Sequence, residues 1–99
     1  MKLYLKYYIK FLKGYRYDNY WAGAKKACDD IGISLPELSK LKSIYKAGQK
    51  DSSLGLPTSG DFWSSSERGA GIAYNLNFSG GGTGYEGGDR NLRVLCVGD

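Results

Sequence analysis

The run Phe62–Gly69, FWSSSERG, places two aromatics, three consecutive serines, a carboxylate and a guanidinium side by side. That mixture reads as an active site, as a binding loop or as part of a core wall. A serine nucleophile needs a base to take its proton and a third group to orient that base. The chain contains no histidine. A Ser–Lys pair would require a desolvated lysine, and the lysines fall on a terminal segment or on polar helix faces. Ser64, Ser65 and Ser66 therefore lack a partner, and the chain is expected not to be an enzyme and to carry no cofactor.

Other chemistry-bearing patterns fail on context. GTGYEG at Gly82–Gly87 fits G-x-G-x-x-G, but a dinucleotide loop must follow a strand and open a helix so that the helix N-terminus meets the phosphates. Here more glycine follows, then a strand pattern, and the tract reads as a hairpin loop. GGTG at Gly81–Gly84 is like a calcium-binding nonapeptide repeat but occurs once and without its aspartate. Asp61, Glu67, Glu86 and Asp89 are scattered acids of the kind that usually sit in solvent, so no metal site is expected. Cys28 and Cys96 are too far apart for a CxxC redox or zinc motif. Two separate buried thiols and a disulfide both remain open on spacing alone.

The totals bound the setting. At 99 residues this is one small domain, and a chain that is 41% hydrophobic and 14% aromatic can still build a core. The net charge of +4 comes largely from Lys2, Lys6, Lys10, Lys13 and Arg16. Nucleic-acid binding would rest on that one segment, so no nucleic-acid partner is expected. No stretch approaches the roughly 20 apolar residues of a transmembrane helix. The start, MKLYLKYYIKFLKG, does not read as a secretory signal, because lysine at every fourth position interrupts any apolar region. An exported form would take its signal from elsewhere.

The elements follow from periodicity. Leu3, Leu5, Tyr7, Ile9 and Phe11 alternate with Lys2, Tyr4, Lys6, Tyr8 and Lys10, which favours a strand with one buried face over a basic amphipathic helix; Gly14 ends it. Trp21, Ala24, Cys28 and Ile31 form one stripe of a helix over Tyr20–Ile31, capped by Asp18 or Asn19 and closed by Gly32. Cys28 then points inward, which disfavours an exposed reactive thiol. A second helix follows Pro36, with Leu38, Leu41, Ile44 and Tyr45 apolar, and stops at Gly48. Ile72, Tyr74, Leu76 and Phe78 alternate with Ala73, Asn75 and Asn77 as a half-buried strand, and Leu92–Val97, apolar on both faces, reads as a central strand. The expectation is an α+β domain whose first and last strands come close together.

This order, with W-A-x-A-x-x-A-C at Trp21–Cys28, I-S-L-P before a helix ending L-K-S-I-Y at Tyr45, F-W-S-S-S-E at Phe62–Glu67, Y-N-L-N-F at Tyr74–Phe78 and V-L-C-V at Val94–Val97, resembles the C-type lectin-like fold. The likeness is to its compact bacterial form, found on surface adhesins, pilin-like proteins and phage tail tips. It covers residues 15–99 and leaves residues 1–14 as a basic N-terminal strand or extension. It implies two helices packed on a twisted, mostly antiparallel sheet and a disulfide between Cys28 and Cys96. Where the family usually has an arginine before the last cysteine this chain has Leu95, and where it has a small residue capping the second helix this chain has Glu37.

Calcium-dependent sugar binding in that family uses a carboxylate and an amide flanking a proline, plus W-N-D. Pro36 and Pro57 are flanked by leucine and then glutamate or threonine, and Trp63 is followed by serines, so calcium is not expected. Enzymes sharing the fold use metal or redox cysteines without counterpart here. What the resemblance implies is display on a bacterial or phage surface, with loops that bind a protein or carbohydrate ligand. The candidate ligand residues are Tyr74, Asn75, Asn77, Tyr85, Glu86, Asp89, Arg90 and Asn91, a polar and aromatic set of the kind that adaptable paratopes use. The alternative is a structural, pilin-like assembly subunit whose residues 1–13 pair with a neighbouring chain as a homo-oligomer.

Overall fold

The computed structural model describes residues 8–98. In chain order they form β1 (Tyr8–Leu12), α1 (Tyr20–Asp30), α2 (Leu38–Lys50), a 3-10 turn (Ser52–Leu54), β2 (Asp61–Gly69), β3 (Ile72–Asn77), β4 (Thr83–Gly87) and β5 (Val94–Gly98). The part of the expected first strand ahead of Tyr8, with Lys2 and Lys6, lies outside the described residues. The chain is α+β, and its strands form an antiparallel pair β1–β5 and an antiparallel triplet β2–β3–β4. A parallel bridge between Phe62 and Arg93 links the two sheets.

Alternation along the strands divides the core in two. Trp63, Ala73, Val94 and Cys96 join Trp21, Ala24 and Cys28 of α1 in one cluster. Phe62, Leu76, Leu95 and Val97 join Leu41 and Ile44 of α2 in the other. Because neighbours in a strand point to opposite faces, α1 covers one side of the strands and α2 the other. The Cys28–Cys96 disulfide ties α1 to β5 inside the first cluster, with Cα atoms 5.4 Å apart and 68 residues between them in sequence.

Several expectations change for local reasons. Ile31 is 48% exposed and serves as the C-cap of α1; Ala27 and Gly23 share the buried face with Trp21, Ala24 and Cys28 instead. Asn19, not Asp18, caps α1, its Oδ1 accepting the Ala22 N–H at 2.7 Å, and Gly32 takes the left-handed conformation at φ 79°. Helix α2 does not stop at Gly48 but continues to Lys50; a Cβ at Gly48 would lie 3.2 Å from Leu56 Cβ, so the glycine serves a close approach rather than a terminus. The inner and outer faces expected of β3 are both covered: Ala73 is buried in the α1-side cluster and Leu76 in the α2-side cluster, and Asn75, paired with Trp63, is buried as well. β5 starts at Val94, and Leu92 packs against the core from the preceding turn. The GTGYEG tract is mostly strand β4 rather than loop.

Candidate functional site

FWSSSERG lies within β2, and the hydroxyls of Ser64 and Ser66 are committed to the fold. Ser64 is fully buried; its Oγ donates to the Tyr74 carbonyl at 2.7 Å and accepts the Ser66 N–H at 3.2 Å. The Ser64 carbonyl in turn accepts Trp21 Nε1 at 2.8 Å. Ser66 Oγ accepts the Leu38 N–H at 2.9 Å, and the Ser65 N–H donates to Pro36 O at 2.8 Å. A serine whose proton is held by a backbone carbonyl is a structural donor. Phe62 and Trp63 are buried on opposite faces; the buried Trp63 Nε1 has no hydrogen-bond partner among the described residues.

Past the serines β2 becomes irregular, with register shifts between Trp63 and Glu67 and again between Glu67 and Gly69. Such bulges re-aim side chains. Arg68, in the second one, lays its guanidinium carbon 3.8 Å from the centroid of the Tyr85 ring. Tyr85 stands opposite Tyr74 in the β3–β4 ladder, and their rings meet edge to face at 6.4 Å. Tyr85 is 51% exposed, Arg68 is exposed and Tyr74 is partly buried. The result is a surface of two aromatic rings beside a cation with five donor N–H groups. Aromatic faces stack on the C–H faces of sugar rings or on apolar side chains, and a guanidinium adds directional hydrogen bonds to hydroxyls or carboxylates. Arg68 is not among the ligand residues that the sequence suggests. No periodic signal marks a residue aimed by a bulge.

The remaining candidates do not converge on that surface. Asn75 is 6% exposed and opposite Gly84, where a Cβ would lie 3.3 Å from its Oδ1, so it is not displayed. Asn77 donates from Nδ2 to Asp61 at 2.9 Å, while its Oδ1 accepts the Ser79 N–H at 2.7 Å, which builds the turn after β3. Glu86 and Arg90 pair at 3.3 Å at the surface, with Arg90 largely solvated and Glu86 partly buried, which makes the pair a weak contributor to stability. Asp89 lies against Gly87, and Asn91 lies against Gly14 near β1, away from the tyrosines in the fold. Among the described residues, Asp61, Glu67, Glu86 and Asp89 form no group of three or more potential metal ligands.

Two of the open clefts among the described residues flank the body. One, of about 770 Å³, runs between α1 and the start of α2 and mixes Lys25, Lys26 and Lys40 with Asp29 and Glu37. Its charges are partly engaged: Lys25 Nζ sits 3.5 Å over the Trp21 ring, and Lys26 pairs with Asp30 at 3.2 Å. The hydrogen bond and charge of Asp30 hold the Lys26 ammonium above its ordinary pKa. The other, of about 600 Å³, lies beside β1 and is lined mainly by apolar residues together with Lys13 and Arg93. No helix among the described residues is long and apolar enough to cross a membrane.

Residues 14–98 match the model of a domain family of unknown function, DUF8780. No curated protein matches the chain.

Proposed function

The chain belongs to the DUF8780 family, a family without an assigned function, and we propose that it is a non-catalytic, C-type lectin-like binding module of a bacterial or phage surface protein. It recognises a protein or glycan without calcium through the face formed by Arg68, Tyr74 and Tyr85. The observation that carries this reading is the Arg68 guanidinium stacked 3.8 Å from an aromatic ring that is itself half exposed. Such a ring and cation are held in place before any ligand arrives, which lowers the ordering cost of binding.

Three further features support it. The hydroxyls of Ser64 and Ser66 are bonded to backbone groups. The pairing of Cys28 with Cys96 suits an oxidising compartment, and with it an extracellular or cell-surface location. The helix, strand and disulfide order follows the pattern on which the resemblance rests.

The test is a glycan and protein array probed with the oxidised domain, with and without a calcium chelator. Hits that survive chelation and disappear for Tyr85→Ala and Arg68→Ala, while both variants keep the wild-type unfolding transition, are the expected result. Hits that persist in both variants, or that require calcium, would reject this face as the site.

A further inference from the structure

β5 is bonded along both edges. β1 runs antiparallel along one, and on the other the Ser34 N–H donates to Val97 O at 2.9 Å while the Val97 N–H donates to Ser34 O at 2.8 Å. Backbone groups in an antiparallel strand alternate in direction. With Val97 facing Ser34, Cys96 and Gly98 face β1, where they pair with Lys10 and Tyr8. Ile9 and Phe11 therefore direct their own N–H and C=O groups away from β5. Among the described residues no strand or loop backbone meets them. β1 presents an open sheet edge, and an open edge is a template for an added strand.

Charge and shape decide what fits there. The 600 Å³ cleft next to the edge has Phe11, Pro57, Phe62 and Leu92 among its walls, Lys13 and Arg93 as its charged residues, and no acid. Neither cation has an ion-pair partner among the described residues. Phe11 remains 47% exposed although its ring leans on Phe62 with centroids 6.4 Å apart. In sequence, Lys2, Lys6, Lys10, Lys13 and Arg16 precede the first acid, Asp18. A second copy laid against β1 would bring two lysine-bearing strands together, and like charges across a ladder repel. Another copy of this chain is the wrong occupant.

We infer that β1 and its adjoining cleft are a docking site for an extended, acidic peptide segment of a partner protein. The segment adds as a strand to the backbone groups of Ile9 and Phe11, seats one apolar side chain against Phe11 and Phe62, and sets carboxylates opposite Lys10, Lys13 and Arg93. This replaces self-pairing of the N-terminal strand with pairing to a partner of opposite charge. The site is separate from the Arg68–Tyr85 face, so the two readings stand or fall independently.

Fluorescence anisotropy tests it with a fluorescein-labelled peptide that alternates glutamate with valine and carries one phenylalanine. Controls replace its glutamates with lysine or methylate its alternate backbone amides. The oxidised full chain is expected to bind the acidic peptide saturably and neither control. Lys10→Glu and Lys13→Glu, both at exposed positions, should each weaken binding roughly three- to tenfold, and Tyr85→Ala should leave it unchanged. Equal binding of the acidic and lysine peptides, or indifference to both charge reversals, overturns the proposal. So does a β1-dependent dimer in sedimentation, or binding to phosphatidylserine vesicles with none to the peptide.

Discussion

The hydroxyl of Ser66 accepts the backbone N–H of Leu38 at 2.9 Å, across 28 residues of sequence, so strand β2 caps helix α2. Glu37 occupies the N-cap position with extended backbone, φ −64° and ψ 160°, yet makes no side-chain cap bond. A tertiary cap fixes a helix end and a strand in one bond, which is why the tract that looked catalytic is structural. Ser66→Ala is expected to cost about 1 kcal/mol, the usual loss for a missing N-cap oxygen. Glu37→Ala should cost much less. Urea unfolding of the two variants decides: equal losses would assign the cap to the wrong residue.

The disulfide links α1 to β5 over a separation of 68 residues. In the chain-entropy account, opening a loop of that length costs roughly 4 kcal/mol, from a total of about 5–15 kcal/mol for a domain of ordinary stability. Reduction, or Cys28→Ser with Cys96→Ser, should therefore bring the chain near its folding threshold at 37 °C. Denaturant titrations of oxidised and reduced protein check this. Superimposable transitions would mean that the bond constrains little.

Gly23 offers a case where local and tertiary effects have opposite signs. A glycine in a helix interior ordinarily gains about 1 kcal/mol on change to alanine. Here the glycine is buried on α1 against the segment leading from β1: an added Cβ would overlap the Tyr15 carbonyl oxygen, and it would also lie 2.8 Å from the Tyr15 carbonyl carbon and 3.3 Å from the Tyr17 nitrogen. Backbone on both sides cannot yield as a side-chain tip can. Gly23→Ala should destabilise by roughly 1–3 kcal/mol, in the range of an overpacked core. A rise in melting temperature would show that the Tyr15–Tyr17 segment moves freely.

How far the sequence reveals the fold depends on whether a residue's role is periodic. Trp21, Ala24 and Cys28 repeat at helical spacing, and the structure buries all three. Ile31 extends the same pattern by one turn, but α1 ends at Asp30 and the stripe has nothing left to cover there. In β3 the hydrophobic alternation hides that small Ala73 and amide-bearing Asn75 are also buried, because a strand between two helix layers needs no polar face. The site is less legible still. Tyr74 and Tyr85 are placed together by ladder register, and Arg68 reaches them only through a bulge, which residue types alone do not encode.

Ser64 joins these levels, and its removal tests them together. Its hydroxyl donates to the carbonyl of Tyr74, a residue of the proposed ligand face, while its own carbonyl takes the indole N–H of Trp21 from α1. Ser64→Ala leaves the Tyr74 carbonyl without that donor in a site that is fully buried at Ser64, which should cost roughly 1–3 kcal/mol. Trp21→Phe removes the second bond and part of the core at once, so its loss alone is ambiguous. The double variant resolves it. Residues sharing one network are expected to show a coupling of about 0.5 kcal/mol or more in a double-mutant cycle, whereas independent sites add within about 0.3–0.5 kcal/mol. Additive losses would mean that the two bonds act separately and that α1 does not help to position β3 and its tyrosine through Ser64.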